Sequence, residues 1–254
     1  MFRTLLAKEF LEQRRTSKLL IFLGVFFIVG CISPLLAKYT PEMLKMIPNI
    51  PANVDINTFF PTPTLKDAIA QYAKNSSQFG VLLVIVLTMN GIAQERERGT
   101  AAMLFSKPVK RGAFIMSKWL AGMATVTASV ILASIACAIY TTVLFSSLPL
   151  GKYLIFNVLL LLFLAVYLSI ALMSSALARN QNMAAAIAFG LLVILLVLSS
   201  LPRISDFSPI GLLSWGSSII DGGSTTYWPA LGISLALVVG SLVIAWFHLE
   251  RQEI

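Results

Sequence analysis

The stretch Tyr153–Ala178, YLIFNVLLLLFLAVYLSIALMSSALA, decides the fold, because it holds no charged residue and is long enough to cross a bilayer as a helix. Similar uncharged runs predict further spans, so that the set is 19–37, 75–94, 119–147, 153–178, 183–202 and 227–247. The chain is 57% hydrophobic and 12% charged, with a mean hydropathy of +0.86. A water-soluble domain needs more charged surface. We predict an all-α membrane protein with six transmembrane helices in one domain, 1–254.

The positions of lysine and arginine predict the orientation, because these residues are enriched in short cytoplasmic segments. Most of them lie before the first span or after the second: Arg3, Lys8, Arg14, Arg15, Lys18, Arg96, Arg98, Lys107, Lys110, Arg111 and Lys118. We therefore expect cytoplasmic termini, a cytoplasmic loop at 95–118 and external segments at 38–74 and 203–226, in the cell membrane of a bacterium or archaeon. The net charge of +8 then reflects topology and attraction to anionic lipid. Nucleic acid is not an expected partner, because no basic face with interleaved aromatic residues lies outside the membrane.

Three segments outside the spans also show helical signals. Residues 1–18 predict an amphipathic helix in the headgroup plane, or alternatively a plain extension of the first span. The proline-rich part of 38–74 opposes regular structure, but Thr64 as N-cap and Asp67 in the first turn predict a helix that runs into span two. Residues Ile210–Ile220 are too few to span, and they predict a short re-entrant or interfacial helix before the last span.

A charged island follows span two: QERERGT at Gln94–Thr100, then SKPVKR at Ser106–Arg111. Span two can continue through Glu95–Arg98, Gly99 can stop it, and Thr100 can cap a short helix at Ala101–Ser106 before Pro108. That short helix carries Met103, Leu104 and Phe105. Three large apolar side chains in a cytoplasmic loop need a surface against which to be buried, either the bilayer interface or a partner protein.

Catalytic and cofactor motifs are missing from the sequence. The single histidine, His248, has no neighbours at metal-ligand spacing, and no phosphate-binding loop is present. We therefore expect a non-catalytic chain without its own cofactor or metal. Glu95 and Glu97 form a close acidic pair, but their alternation with arginine favours neutralisation at a partner surface over metal binding. The alternatives to a transport role are an integral membrane enzyme and a structural membrane anchor.

The layout, the opening Lys8-Glu9-Phe10-Leu11-Glu12 and the island at 94–111 resemble the type-2 ABC transporter permease family. More narrowly, they are similar to the branch that contains the permease of nitrous-oxide-reductase maturation. The resemblance implies the permease subunit of an exporter, paired with a second permease copy or homologue. Separate cytoplasmic ATPase subunits would bind the ATP and magnesium. No large external domain is apparent, so that an external accessory protein or direct entry from lipid would supply the substrate, whose identity stays open.

The same resemblance places a coupling helix after span two. It implies that the ATPase is contacted by Glu95, Glu97, Arg98, Gly99, Thr100, Met103, Leu104, Phe105, Lys107 and Pro108. For the second copy, Ala186 and Gly190 in span five form a short small-xxx-small pair that permits close helix approach. Span one is the other candidate for that contact, and packing within one subunit is an equal alternative for Ala186 and Gly190.

Overall fold

The computed structural model describes residues 2–45, 62–89, 91–97, 111–145, 147–201, 204–223 and 225–251. Their helices are α1 (Phe2–Arg15), α2 (Lys18–Lys45), α3 (Leu65–Thr88), α4 (Ala93–Glu97), α5 (Arg111–Leu144), α6 (Leu150–Leu177), α7 (Gln181–Ser200), α8 (Ile210–Asp221) and α9 (Trp228–Glu250), with a 3₁₀ turn at Ser205–Phe207. No strand occurs within these ranges. The described part of the chain is all-helical, as predicted.

Six helical segments among the described residues are long and apolar enough to cross a membrane, and they match the predicted number of spans. They are α2, α3 together with α4, α5, α6, α7 and α9. The central helix is α6, because 72% of its most apolar window is buried, whereas the corresponding value for α7 is 17%. Helix α6 packs against α3, α5, α7, α8 and α9, and it carries the buried core residues Phe156, Leu160 and Leu164.

Helices α2 and α5 pack at very short range. A Cβ atom on Gly30 of α2 would lie 2.4 Å from the carbonyl oxygen of Ala133 in α5, which is closer than any side chain can approach. A glycine at this position therefore permits the contact, as small residues commonly do between membrane helices. The contact fixes α2 against the long helix that also supports α1.

The start of α3 confirms the predicted cap. The backbone N–H of Thr64 donates to Asp67 Oδ2 at 2.8 Å, and its hydroxyl donates to the same oxygen at 2.7 Å. Helix α3 then runs without interruption to Thr88. A cap is also present at the C-terminal end of α8. Gly222 ends that helix at a φ of 83°, a left-handed conformation that glycine adopts without strain.

Several helix bounds differ from the predicted ones. Helix α2 continues to Lys45, through Pro41, where an irregular segment is predicted from residue 38. One proline removes a single backbone donor, and the surrounding turns keep their hydrogen bonds. Helix α5 begins at Arg111, so that 111–118 is helical rather than part of a loop.

One candidate span covers Leu65–Glu97 and so reaches the charged island as predicted, but its helix is interrupted on the way. Helix α3 ends at Thr88, a turn follows in which Gly91 N–H donates to Thr88 O at 3.0 Å, and α4 then begins at Ala93. Glycine lowers the stability of a continuous helix, and the amides after the turn find other acceptors. The bundle therefore has a loop end, where α1 and α4 lie, and an opposite end, where α8 packs against α3 and α6.

Candidate functional site

The segment 98–110 holds most of the residues predicted to contact an ATPase, and it lies outside the described residues. Those residues are Arg98, Gly99, Thr100, Met103, Leu104, Phe105, Lys107 and Pro108. The structure describes Glu95 and Glu97 on one side of the segment and Arg111 on the other. The candidate site is therefore the set of described residues that flank the segment 98–110 in sequence, together with their contacts, and we name this set the frame.

The frame begins with Ser175 of α6, which holds the start of α4. Its side-chain oxygen accepts the backbone N–H groups of Ile92 at 2.9 Å and of Ala93 at 3.0 Å. The first N–H groups of a helix have no partner within the helix, so that an outside acceptor satisfies them. Ile92, Ala93 and Ser175 are all buried. Helix α4 is therefore positioned by α6 rather than by the end of α3.

Arg96 attaches α4 to the end of α6. Its guanidinium donates to Ala178 O at 2.9 Å and to Ala176 O at 3.2 Å. The last carbonyl groups of a helix lack intrahelical donors and carry partial negative charge, so that a cation is stabilising there. A displacement of α4 would pull on the C-terminal end of α6 through these bonds.

Arg111 makes the corresponding contact on the other side of the segment. Its guanidinium donates to Leu249 O and, at 2.8 Å, to Glu250 O at the C-terminal end of α9. The segment 98–110 is therefore flanked by two arginines, each of which binds the carbonyl end of a different spanning helix. Sequence reasoning assigned Arg96 and Arg111 to the positive side of the membrane and missed this role.

Four charged side chains form a group between α1, α4 and α5, which we name the charge cluster: Lys8, Glu9, Glu95 and Lys118. Lys8 is the most exposed member, with 39% of its side chain accessible. Lys118 Nζ donates to both oxygens of Glu9, at 3.0 and 3.1 Å, and to Glu95 Oε1 at 3.0 Å. Lys8 Nζ donates to the same Glu95 oxygen at 2.6 Å. The side chains of Lys118, Glu9 and Glu95 are 5%, 8% and 12% exposed, so that bulk water and salt screen them little.

The charges of the cluster balance, with two ammonium and two carboxylate groups. Burial alone would lower the pKa of Lys8, but its hydrogen bond to Glu95 and the negative charges around it outweigh burial, and the pKa lies above its ordinary value. A buried ion pair contributes little net stability by itself, but the loss of one partner is costly because it leaves a buried charge unpaired. The cluster therefore fixes the relative positions of α1, α4 and α5.

Three carboxylates at this site come close enough to suggest a cation site, since oxygens of Glu9, Glu12 and Glu95 lie within 4.8 Å of one another. The cation between them is supplied by the protein itself. Lys118 Nζ bridges Glu9 and Glu95, and Lys8 Nζ lies 3.9 Å from Glu12. The arrangement is that of an ion-pair network, and we assign no metal to it.

The structure changes the interpretation of two predicted features. Glu95 faces inward to Lys8 and Lys118 rather than outward to a partner, whereas Glu97 is exposed. On α1, Phe2, Phe10 and Leu11 are exposed, and the buried positions are Leu5 and Glu9. Glu9 was missed, although it follows Leu5 by one helical turn. A carboxylate next to the apolar face of a helix indicates a partner, because burial without one is costly.

The predicted contact residues of span five lie on the outer side of the bundle. Ala186 and Gly190 are exposed, and a Cβ on Gly190 would meet nothing within 4 Å, whereas Ala184 and Ala188 are buried. Beside this helix is a groove of about 530 Å³ between α3, α6, α7 and α8. Its lining carries no charge and includes Phe79, Leu82, Tyr167, Leu192, Leu196 and Leu213.

Within the described ranges, six long apolar helical segments indicate a multi-pass membrane protein. Residues 3–254 match the family model described as ABC-2 family transporter protein, and the chain belongs to that family. It is also similar to the uncharacterized transmembrane protein YxlG of Bacillus subtilis (strain 168), with 34% identity over 116 residues. That match covers 46% of this chain and 44% of the relative, so that the chain spans less than half of the relative's length in the match.

Proposed function

We propose that the chain is the permease subunit of an ABC exporter in the cell membrane, driven by a separate cytoplasmic ATPase that contacts the segment 98–110. The observation that carries the proposal is the attachment of the residues that flank this segment. Arg96, two residues before it, binds the end of α6, and Arg111, directly after it, binds the end of α9. Flanks that only led into a connecting loop would not need attachments to two other helices.

The attachments define a route for mechanical force. A partner that pushes on the segment 98–110 displaces α4 and the start of α5, because both are contiguous with it. Arg96 passes the displacement to α6, and Arg111 passes it to α9. Since α6 is the most buried spanning helix and lines the groove through Tyr167, the movement reaches the wall of the groove.

The contact with the ATPase is proposed for the residues that the resemblance indicates. Met103, Leu104 and Phe105 would enter an apolar groove of the ATPase, and exposed Glu97 together with Arg98 would lie at its rim. Glu95 acts from inside, because it binds Lys118 and Lys8. ATP and magnesium would be held by the ATPase.

The positive charges of the loop end support a cytoplasmic location for that end and for both termini. Helix α8 would then enter the outer leaflet as a re-entrant helix. The uncharged groove is suited to a largely apolar substrate that enters from lipid or is handed over by an accessory protein. A second copy would pack against the outer face of α7, at Ala186 and Gly190, or against α2.

The proposal is tested by purification of the chain together with an ABC ATPase encoded beside it. Leu104→Asp is expected to weaken ATPase association at least tenfold, because truncation of a central apolar anchor at an interface typically costs about 2 kcal/mol or more. The control is Phe207→Asp, which places the same charge at an exposed site of the opposite end. Unchanged ATPase association in Leu104→Asp would contradict the proposal, and an enzyme or anchor would then be the better hypothesis.

A further inference from the structure

We propose that α1 moves when the ATPase acts on the segment 98–110. Lys118 is the positioning residue that makes α1, α4 and the adjoining end of α5 shift as one unit. The inference rests on the proposed function. It goes further in assigning a role to the N-terminal helix, which would otherwise be a passive membrane anchor.

The first argument is the chemistry by which α1 is held. Its large apolar side chains Phe2, Phe10 and Leu11 are exposed, whereas Glu9 is buried against Lys118. One turn further along α1, Gln13 Oε1 accepts a hydrogen bond from the hydroxyl of Thr125 in α5. Two directional polar contacts, one turn apart on α1, fix its register along α5. A helix held only by lipid would need neither.

The second argument is the size of α4. A helix of five residues is not stable by itself, so its position is set by outside contacts. One of its acidic residues, Glu95, is held at the same oxygen by Lys8 of α1 and Lys118 of α5. Helix α4, which precedes the segment 98–110 in sequence, is therefore positioned in part by α1.

The third argument is that Lys118 serves both carboxylates. Its ammonium group contacts Glu9 on α1 and Glu95 on α4, and its own backbone belongs to α5. This single group lies at the junction of three separate helices. Because its side chain is 5% exposed, the junction is shielded from competing water and ions.

The fourth argument is the short link between α1 and α2. Only Thr16 and Ser17 separate the two helices, and Ser17 has a φ of 57°, a left-handed conformation that non-glycine residues seldom adopt. A link of two residues leaves little slack between the helices, so that a shift of α1 would reach the beginning of α2.

The experiment measures distances between pairs of spin labels in the permease–ATPase complex reconstituted in lipid. Each distance is measured once with ADP and once with ATP under conditions that prevent hydrolysis. Cys31 and Cys137 are replaced by alanine, and the labels are placed at exposed positions. The pair Leu11→Cys and Phe207→Cys reports α1 against the opposite end of the bundle, and the pair Leu11→Cys and Met116→Cys reports α1 against α5. We expect ATP to shift the first distance by several ångström and to leave the second unchanged.

Lys118→Met is expected to abolish the ATP-dependent shift of α1 and to broaden the distribution of the second distance. Lys118→Arg, which keeps the charge, should retain the shift. Lys66→Met is the matched control, because Lys66 forms an exposed ion pair with Asp221 at the opposite end. If Lys118→Met does not insert into the membrane, Glu9→Gln replaces it, because this variant weakens the same contact between α1 and Lys118 with a side chain of equal size.

The outcomes separate the inference from the proposed function. Failure of the unaltered chain to bind the ATPase overturns both. Binding without any ATP-dependent change in the first distance shows that α1 is static and overturns the inference alone. A change in the second distance, or a shift of α1 that survives in both Lys118→Met and Glu9→Gln, overturns it as well.

Discussion

Two different polar networks connect helices at the two ends of the bundle. Towards the opposite end, uncharged groups connect the helices: Tyr72 Oη donates to Asn157 Oδ1 at 3.1 Å, and Asn75 Nδ2 donates to Ser33 Oγ at 3.0 Å. At the loop end, the charge cluster makes the connections. The uncharged network is buried, the charge cluster is largely buried apart from Lys8, and both join elements far apart in sequence.

The difference follows from what each network connects. The uncharged network joins long continuous helices that apolar packing already holds, so modest hydrogen bonds are sufficient. The charge cluster joins two helices that have little apolar contact of their own, α1 and α4, to α5. Ion pairs are tolerated there because the loop end lies at the limit of the apolar segments, whereas a charge at mid-membrane is costly. We expect the uncharged network to stay fixed during transport and the charge cluster to carry movement.

The largest effect is expected from Lys118→Met, which removes the buried cation and leaves the charge cluster with two carboxylates and one ammonium group, that of the half-exposed Lys8. Removal of one partner from a buried ion pair costs about 3–5 kcal/mol. The free energy of unfolding, measured by denaturant titration in mixed micelles, should fall by that amount. Addition of Glu9→Gln should restore part of the loss because it removes one unpaired charge. A loss of unfolding free energy below about 1 kcal/mol would mean that water reaches the charge cluster. The proposed difference between the charged loop end and the uncharged opposite end would then be wrong.

Much of this architecture is predictable from the sequence because the uncharged runs are long. Uncharged runs such as Tyr153–Ala178 exceed the thickness of a bilayer, so that the number of spanning helices and their approximate positions follow directly. The cap at Thr64 is also local, because donor and acceptor are three residues apart. The contacts of the frame could not be predicted in this way. Ser175 and Lys118 lie more than twenty residues from their partners in α4, and periodicity carries no information about such contacts.

The break between α3 and α4 shows the same limit. Gly91 gives a weak local signal, but the decisive factor is the acceptor that Ser175 offers to Ile92 and Ala93 from another helix. The sequence around Glu95 favours a continuous helix, and the tertiary contact overrides that preference. The inward direction of Glu95 depends on the same turn.

An intermediate effect is expected from Arg96→Met, which removes the link between α4 and the end of α6. Hydrogen bonds from charged groups contribute about 1.5–3 kcal/mol each, but Arg96 is half-buried and water replaces part of the interaction. We expect a loss of about 1–2 kcal/mol in unfolding free energy and a larger relative loss of ATP-driven transport. Arg179→Met is the control, because Arg179 is exposed beside the same helix end. Equal losses in the two variants would show that general charge, and not the bond to Ala178, is responsible.

The smallest effect is expected from Tyr72→Phe in the uncharged network. The change removes the hydroxyl that donates to Asn157 and keeps the aromatic packing against Tyr153 and Phe156. Hydrogen bonds between membrane helices contribute about 0.6 kcal/mol on average, because the unfolded helices in the membrane also find partners. The unfolding free energy should fall by about that amount. Tyr140→Phe, at an exposed position of α5, should change it by less. If Tyr72→Phe matched Lys118→Met in cost, the uncharged network would be as critical as the charge cluster, and the division of the protein into a fixed end and a moving end would fail.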